Sequence, residues 1–246
     1  MNESWHGDPQ GGFAGNVRSY GHWGRPVLAF PAEAGSASDW ESHGMVDAVS
    51  DLLSAGRIKL YCVDSADAET WSNRSIPYEE RARRHELYER WLLDAVVPFI
   101  AGESGGRDDL IAAGVSLGAF HAVNVALRHA DRFPIAIGLS GNYDPSLWHI
   151  WGERGSSAYF NNPVEYVPNL GGEHLDWLRG HVHLTLVVGQ GAFEEHPTHA
   201  LSGAHRLATV LADKGIAHDL DVWGQDVPHD WTSWQRQIAH HLPRFC

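Results

Sequence analysis

Six short apolar runs alternate with helix-like segments along this chain, and that alternation narrows the possible folds more than any other feature. The runs are RPVLAFPA (25–32), RIKLYCVDS (57–65), DLIAAGVS (109–116), FPIAIGLSG (133–141), VHLTLVVGQG (182–191) and AHDLDVWGQD (217–226). Each has the length of a strand and is closed by Gly, Pro, Asp or Ser. Helical patterns lie between them. YEERARRHELYERWLLDAVVPFIAG (78–102) starts just after Pro77 and carries an apolar stripe at Leu87, Trp91, Leu92 and Ala95. LGAFHAVNVALRHA (117–130), THALSGAHRLATVLADKG (198–215, ending in Gly215) and WTSWQRQIAHHLPRF (231–245) follow. Strands that are apolar on both sides, alternating with helices, predict an α/β fold with a mostly parallel sheet covered on both faces. In such sheets, chemistry sits at the C-terminal ends of the strands. No G-x-G-x-x-G or Walker loop occupies the first strand-to-helix turn, which argues against a dinucleotide or nucleotide site.

The bulk properties exclude several partners. A chain of 246 residues is long enough for one large domain with a sizeable core. With 18 Lys and Arg against 31 Asp and Glu, the net charge is -13, so a phosphate backbone or an anionic membrane surface is not expected to bind. The opening MNESWHGDPQGG lacks the features of a secretory signal, and no apolar run approaches the length of a membrane span. Cys62, inside a strand pattern, and Cys246, the last residue, form no disulfide framework. The cytoplasm is the expected compartment. The 17 histidines invite a metal reading, but there is no H-E-x-x-H and no paired C-x-x-C. The HVH at 181–183 fits a half-exposed strand with alternating faces. No metal and no cofactor are expected.

The end of the third run holds Gly114-Val115-Ser116-Leu117-Gly118, a G-x-S-x-G turn between a buried strand and a helix. Neighbours without Cβ atoms allow strand and helix to approach closely, and the turn lifts the serine hydroxyl above the sheet. The first helical N–H, that of Leu117, then points where a carbonyl oxygen would become an oxyanion. A serine hydroxyl needs a base. His229, in the loop after the last strand, is the preferred one. His240 and His241 fall inside the final helix, His218 begins a strand, and His121 packs under the site. The preferred acid is Glu194, in the loop after the fifth run, with Glu195 and Asp226 as alternatives and Asp144 as an outside choice. Asp230 adjoins the histidine too closely to orient it. The turn after VLAF reads Pro31-Ala32-Glu33-Ala34-Gly35; Pro31 has no N–H, which leaves Glu33 or Ala34 as the second oxyanion donor.

VLAFPAEAGSASDWESHGMVDA, LYCVDSADAETWSNRSIP, GVSLGAFHAVNVALRHADRF, AIGLSGNYD and VWGQDVPHDW together resemble the esterase D branch of the α/β-hydrolases. Feruloyl esterases, S-formylglutathione hydrolase, enterochelin esterase and the mycolyltransferases are relatives. The resemblance spans essentially the whole chain. It implies an α/β-hydrolase fold, Ser116 as nucleophile, His229 as base and the carboxylate within GQGAFEE (189–195). It implies hydrolysis of a carboxylic ester or thioester through an acyl-enzyme, without a cofactor. Acyl transfer to an alcohol at the same site is one alternative, and a binding protein that kept the fold without catalysis is another.

The chain 1–246 reads as one domain in which 142–180 is the longest insertion between strands and the expected cap. That segment brings Trp148, Trp151, Tyr159 and Phe160, with Asn161 and Asn162, and its expected neighbours include Trp71 and Trp40. Trp71, Trp148, Trp151 and Phe160 are the expected substrate-binding aromatics. Trp231 and Trp234, at the start of the last helix, are expected in the core. The expected partner is a small-molecule ester; a homo-oligomer is left open.

Overall fold

A computed structural model describes residues 3–6, as backbone, and 12–246 in full. Its centre is an eight-stranded sheet in the order β1-β2-β4-β3-β5-β6-β7-β8. The expected six runs form the parallel part: β3 (Arg25–Phe30), β4 (Ile58–Val63), β5 (Ile111–Val115), β6 (Ile135–Leu139), β7 (His183–Val188) and β8 (His218–Val222). Two strands that the apolar runs did not show, β1 (Glu3–His6) and β2 (Asn16–Tyr20), add an antiparallel edge next to β4. The signal for β2 was present but brief. In NVRSY, Val17 and Tyr20 are buried while Arg18 is half-exposed.

Successive side chains of the parallel strands separate cleanly to the two faces of the sheet. Leu28, Phe30, Tyr61, Val63, Ala112, Ala136, Leu184 and Leu186 enter one core. Val27, Ala29, Leu60, Cys62, Ala113, Val115, Ile137 and Leu139 enter the other. This is the two-residue period of a strand buried on both sides.

Three short helices, α1 (Asp39–Ser42), α2 (Met45–Ala48) and α3 (Ser50–Ser54), follow β3. The long helical pattern divides into α4 (Tyr78–Trp91) and α5 (Val97–Glu103), joined by a π-helical turn over Leu92–Val96. Pro98 near the start of α5 explains the break, since it lacks an N–H and its ring opposes a regular α ladder. Next come α6 (Leu117–Arg128), α7 (Ser156–Phe160), α8 (Pro163–Tyr166), α9 (Gly172–His181), α10 (Ala200–Lys214) and α11 (Trp231–His241). The HVH segment is not one strand: His181 closes α9 and His183 opens β7.

Three backbones meet within van der Waals contact at the β5–α6 turn. A Cβ on Gly114 would lie 2.0 Å from the Gly118 carbonyl oxygen, and one on Gly118 would lie 2.1 Å from the Pro31 carbonyl oxygen. Both clashes are with main chain, so no rotamer change relieves them. Gly114→Ala is therefore expected to destabilise the fold by at least about 2 kcal/mol, at the upper end of overpacking costs. Urea unfolding followed by tryptophan fluorescence measures this; unchanged stability would mean that the backbones do not approach this closely.

Candidate active site

The strand order reverses direction beside β3 and β5, the place where open α/β sheets form a crevice. Ser116 stands at that point, between the last residue of β5 and the first of α6, at φ 55 and ψ -121. A non-glycine residue with positive φ is strained and persists only where its surroundings fix it. Here the Ser116 N–H donates to the Leu139 carbonyl at the end of β6 (2.8 Å), which ties the turn to the neighbouring strand. Leu117 begins α6, so its N–H has no intrahelical acceptor.

His229 and Glu194 come to the same place. His229 Nε2 lies 2.9 Å from Ser116 Oγ, and Nδ1 lies 3.2 Å from Glu194 Oε2. The acid and histidine loops are laced by backbone bonds: Gly191 N–H to the Val227 carbonyl (2.9 Å) and His229 N–H to the Ala192 carbonyl (2.9 Å). Glu194 is fully buried, and a buried carboxylate needs compensating donors. Its Oε1 accepts from the Gly189 N–H (3.1 Å) and from the Ser140 hydroxyl (2.6 Å). Ser140 Oγ in turn accepts from Trp234 Nε1 (3.0 Å), and the Trp234 ring stands edge-on to His229 at 5.0 Å. Neither Ser140 nor Trp234 was singled out for this role. Nothing in their local sequence marks them, because both act across the sheet's end from distant elements.

The other carboxylates are engaged elsewhere or face water. Glu195 accepts from the Ser202 N–H (3.0 Å) and pairs with His199. Asp226 is exposed. Asp144 is buried against Arg206, Asn162 and Ser146. Asp230 caps α11 by accepting from the Ser233 N–H (2.8 Å). His121 is buried and hydrogen-bonded to Asp67 (2.8 Å). His240 and His241 lie on α11 away from the serine. With Asp221 they form a group whose ligand atoms lie within 4.8 Å of one another. Asp221 Oδ2 there is already bonded by His241 Nε2 (2.9 Å) and Trp223 Nε1 (2.8 Å).

A cleft of about 220 Å³ opens over the serine, lined by Glu33, Trp71, Arg74, Leu117, Trp148 and His149 among others. Its walls come from the loops after β3, β4, β6 and β7. Buried Arg81 on α4 fastens two of those walls by donating to the carbonyls of Trp71 (3.4 Å), Trp148 (3.1 Å) and His149 (3.3 Å). Trp71 and Trp148 both line the cleft, packed edge to face at 5.6 Å. Trp151 and Phe160 do not. They are 50% and 55% exposed and turn away from the cleft. Trp151 Nε1 donates to the Arg74 carbonyl (3.0 Å), and Phe160 lies on α7, which packs on α4. Asn161 and Asn162 are buried, bonded to Asn124 and Asp144 rather than facing the cleft. Trp40 belongs to the opposite face of the sheet, where Nε1 donates to the Phe30 carbonyl (3.0 Å).

Of the two residues expected to supply the second oxyanion donor, only Glu33 lines the cleft. The Ala34 N–H is occupied, donating to Asp67 Oδ2 at 3.2 Å.

A parallel sheet in this order, with a serine on the turn between its central strand and the following helix, is the architecture of the α/β-hydrolases. Residues 28–245 match the family described as "Putative esterase", and the chain belongs to that family. It is by that membership an esterase, a hydrolase of carboxylic esters. Solved structures with the same fold include a ferulic acid esterase (16% identity, 99% of this chain and 96% of the other, TM-score 0.74). An S-formylglutathione hydrolase from Agrobacterium tumefaciens is similar at 11% identity (99% and 94%, TM-score 0.74). MPT51 (FbpC1) from Mycobacterium tuberculosis is similar at 15% (99% and 97%, TM-score 0.73). Among curated proteins, none matches the sequence. Among the described residues, no helix is long and apolar enough to cross a membrane.

If Glu194 orients His229, Glu194→Gln should lower kcat by roughly 10²- to 10⁴-fold, the range set by losing the correct imidazole tautomer. Glu195→Gln and Asp226→Asn should stay within about twofold of wild type, since neither carboxylate reaches the histidine. Steady-state kinetics on one chromogenic ester compares all three, and equal losses would remove Glu194 from the assignment.

Proposed function

We propose that the chain hydrolyses a small carboxylic ester or thioester through an acyl-enzyme on Ser116. The observation that carries this reading is the continuous bond chain Glu194–His229–Ser116, at 3.2 and 2.9 Å, at the floor of the cleft. His229 Nδ1–H donates to Glu194, which leaves Nε2 as the acceptor for the serine proton. Ser116 Oγ attacks the ester carbonyl as Nε2 takes that proton. The new charge on the carbonyl oxygen is met by the Leu117 N–H and by an N–H of the 31–35 turn, where Ala34 is occupied and the groups of Ala32 and Glu33 are free among the described residues. His229 then passes the proton to the leaving alcohol or thiol. Water, deprotonated by the same nitrogen, releases the acid.

The size of the cleft supports a short acyl or alcohol group beside Trp71 and Trp148, and the cation of Arg74 stands at its edge. The cytoplasm is the compartment we propose, because Cys62 and Cys246 are both free thiols.

Ser116→Ala should leave the melting temperature near that of wild type and reduce cleavage of p-nitrophenyl acetate by at least about 10³-fold. Labelling by a fluorophosphonate probe should vanish with it. Retained labelling or hydrolysis in the folded variant would assign the chemistry to another nucleophile.

A further inference from the structure

Asp67 is a fully buried carboxylate that the hydrolytic chemistry described above does not use. It lies in the loop after β4, and each of its oxygens makes one bond to a different element. Oδ1 lies 2.8 Å from His121 Nε2, on α6 one turn beyond Ser116. Oδ2 accepts the Ala34 N–H at 3.2 Å, in the turn after β3. His121 Nδ1 has no partner among the described residues, so its hydrogen belongs on Nε2, donated to Asp67. The same histidine is wedged between Phe30 at 5.9 Å and His85, whose ring stacks on it at 5.1 Å.

The turn that Asp67 grips is an unusual one. Gly35 N–H closes it onto the Ala32 carbonyl at 3.0 Å, and Ala34 sits at φ 53, in the left-handed region that alanine disfavours. Without an outside acceptor for the Ala34 N–H, the turn could relax to a less strained geometry. The N–H groups of Ala32 and Glu33 would then re-aim. A buried carboxylate with no Lys or Arg partner is a costly way to fill space, and an apolar side chain would pack there more cheaply. What the carboxylate can do, and an apolar group cannot, is tie the His121 ring on α6 to the Ala34 main chain.

We propose that Asp67, through His121, is a positioning residue that sets the distance between the two oxyanion donors. The Leu117 N–H is carried on α6 and the other donor on the 31–35 turn; Asp67 bridges helix and turn. The proposal rests on the Ser116 reading of the site and adds a specific claim about transition-state geometry. A donor displaced by a fraction of an ångström binds the ground state nearly as well but stabilises the oxyanion less.

The test is steady-state and single-turnover kinetics on p-nitrophenyl acetate for Asp67→Ala, Asp67→Asn, His121→Leu and Ser116→Ala, with thermal melting as a control for folding. Asp67→Ala and His121→Leu are expected to lower the acylation rate and kcat by roughly ten- to hundredfold, less than the 10²–10³ lost with a whole donor, with KM within about threefold of wild type. Asp67→Asn should recover most of the rate, because its amide oxygen can still accept from Ala34 while its NH₂ donates to the other tautomer of His121. A lowered melting temperature with wild-type kcat in both Asp67→Ala and His121→Leu would overturn the proposal and leave the pair a purely structural one. So would a loss in Asp67→Asn as large as in Asp67→Ala. If Asp67→Ala does not fold, His121→Leu against Asp67→Asn decides by the same criteria. Ser116→Ala separates the two levels: activity in that variant removes the nucleophile assignment, whereas an inactive Ser116→Ala beside a fully active Asp67→Ala removes only the positioning role.

Discussion

The crossing of main chains at Gly114, Gly118 and Pro31 is the constraint on which the rest of the site depends. It forces β5 to end and α6 to begin within one residue, and Ser116 takes the strained conformation that remains. That single placement delivers the hydroxyl to the sheet's edge and aims the Leu117 N–H outward. Each consequence is geometric. None requires a side chain to choose among rotamers, so the preorganisation is built into the backbone and persists whatever occupies the cleft.

Around this fixed point the fold places buried charge and compensates it locally. Glu194 is tied by a backbone N–H and the Ser140 hydroxyl, and Ser140 is in turn steadied by Trp234 from the last helix. Asp67 takes a bond from α6 and one from the β3 turn. Among the described residues, Arg81 has only carbonyl partners, in two cleft walls and the loop before α4. The last two groups couple elements distant in sequence that short-range packing would leave free to slide. Polar groups buried in this way stabilise little relative to apolar replacements, but they single out one arrangement.

The sheet and the serine were legible in the sequence because their signals are local. A strand buried on both faces must be apolar throughout, as Ile111–Val115 is, and a turn with two backbone contacts must carry two glycines. The choice of Glu194 over Glu195 was legible only as a preference, since adjacent residues in a loop differ by orientation and not by composition. The aromatics were read least well. Trp148 and Trp151 are three residues apart, yet one lines the cleft and the other is half exposed and donates to the Arg74 carbonyl. Identity says that an aromatic ring needs a surface to cover, and only the course of the backbone says which one. β2 went unseen because it is only five residues long and three of them, Asn16, Arg18 and Ser19, are polar.

The cleft walls show how such non-local placement bears on selectivity. Trp71 comes from the loop after β4, and Trp148 and His149 come from the loop after β6; left to themselves these loops would move independently. Arg81 binds the carbonyl of all three residues, and its planar fork of donors fixes their relative orientation as well as their distance. The two indoles that line the cleft are therefore held by main-chain anchors. A wall so fixed admits a narrow range of ring or chain shapes and loses little entropy on binding them. The shape of the cleft accordingly follows from the rigidity of two loops, set by a guanidinium that does not itself line it.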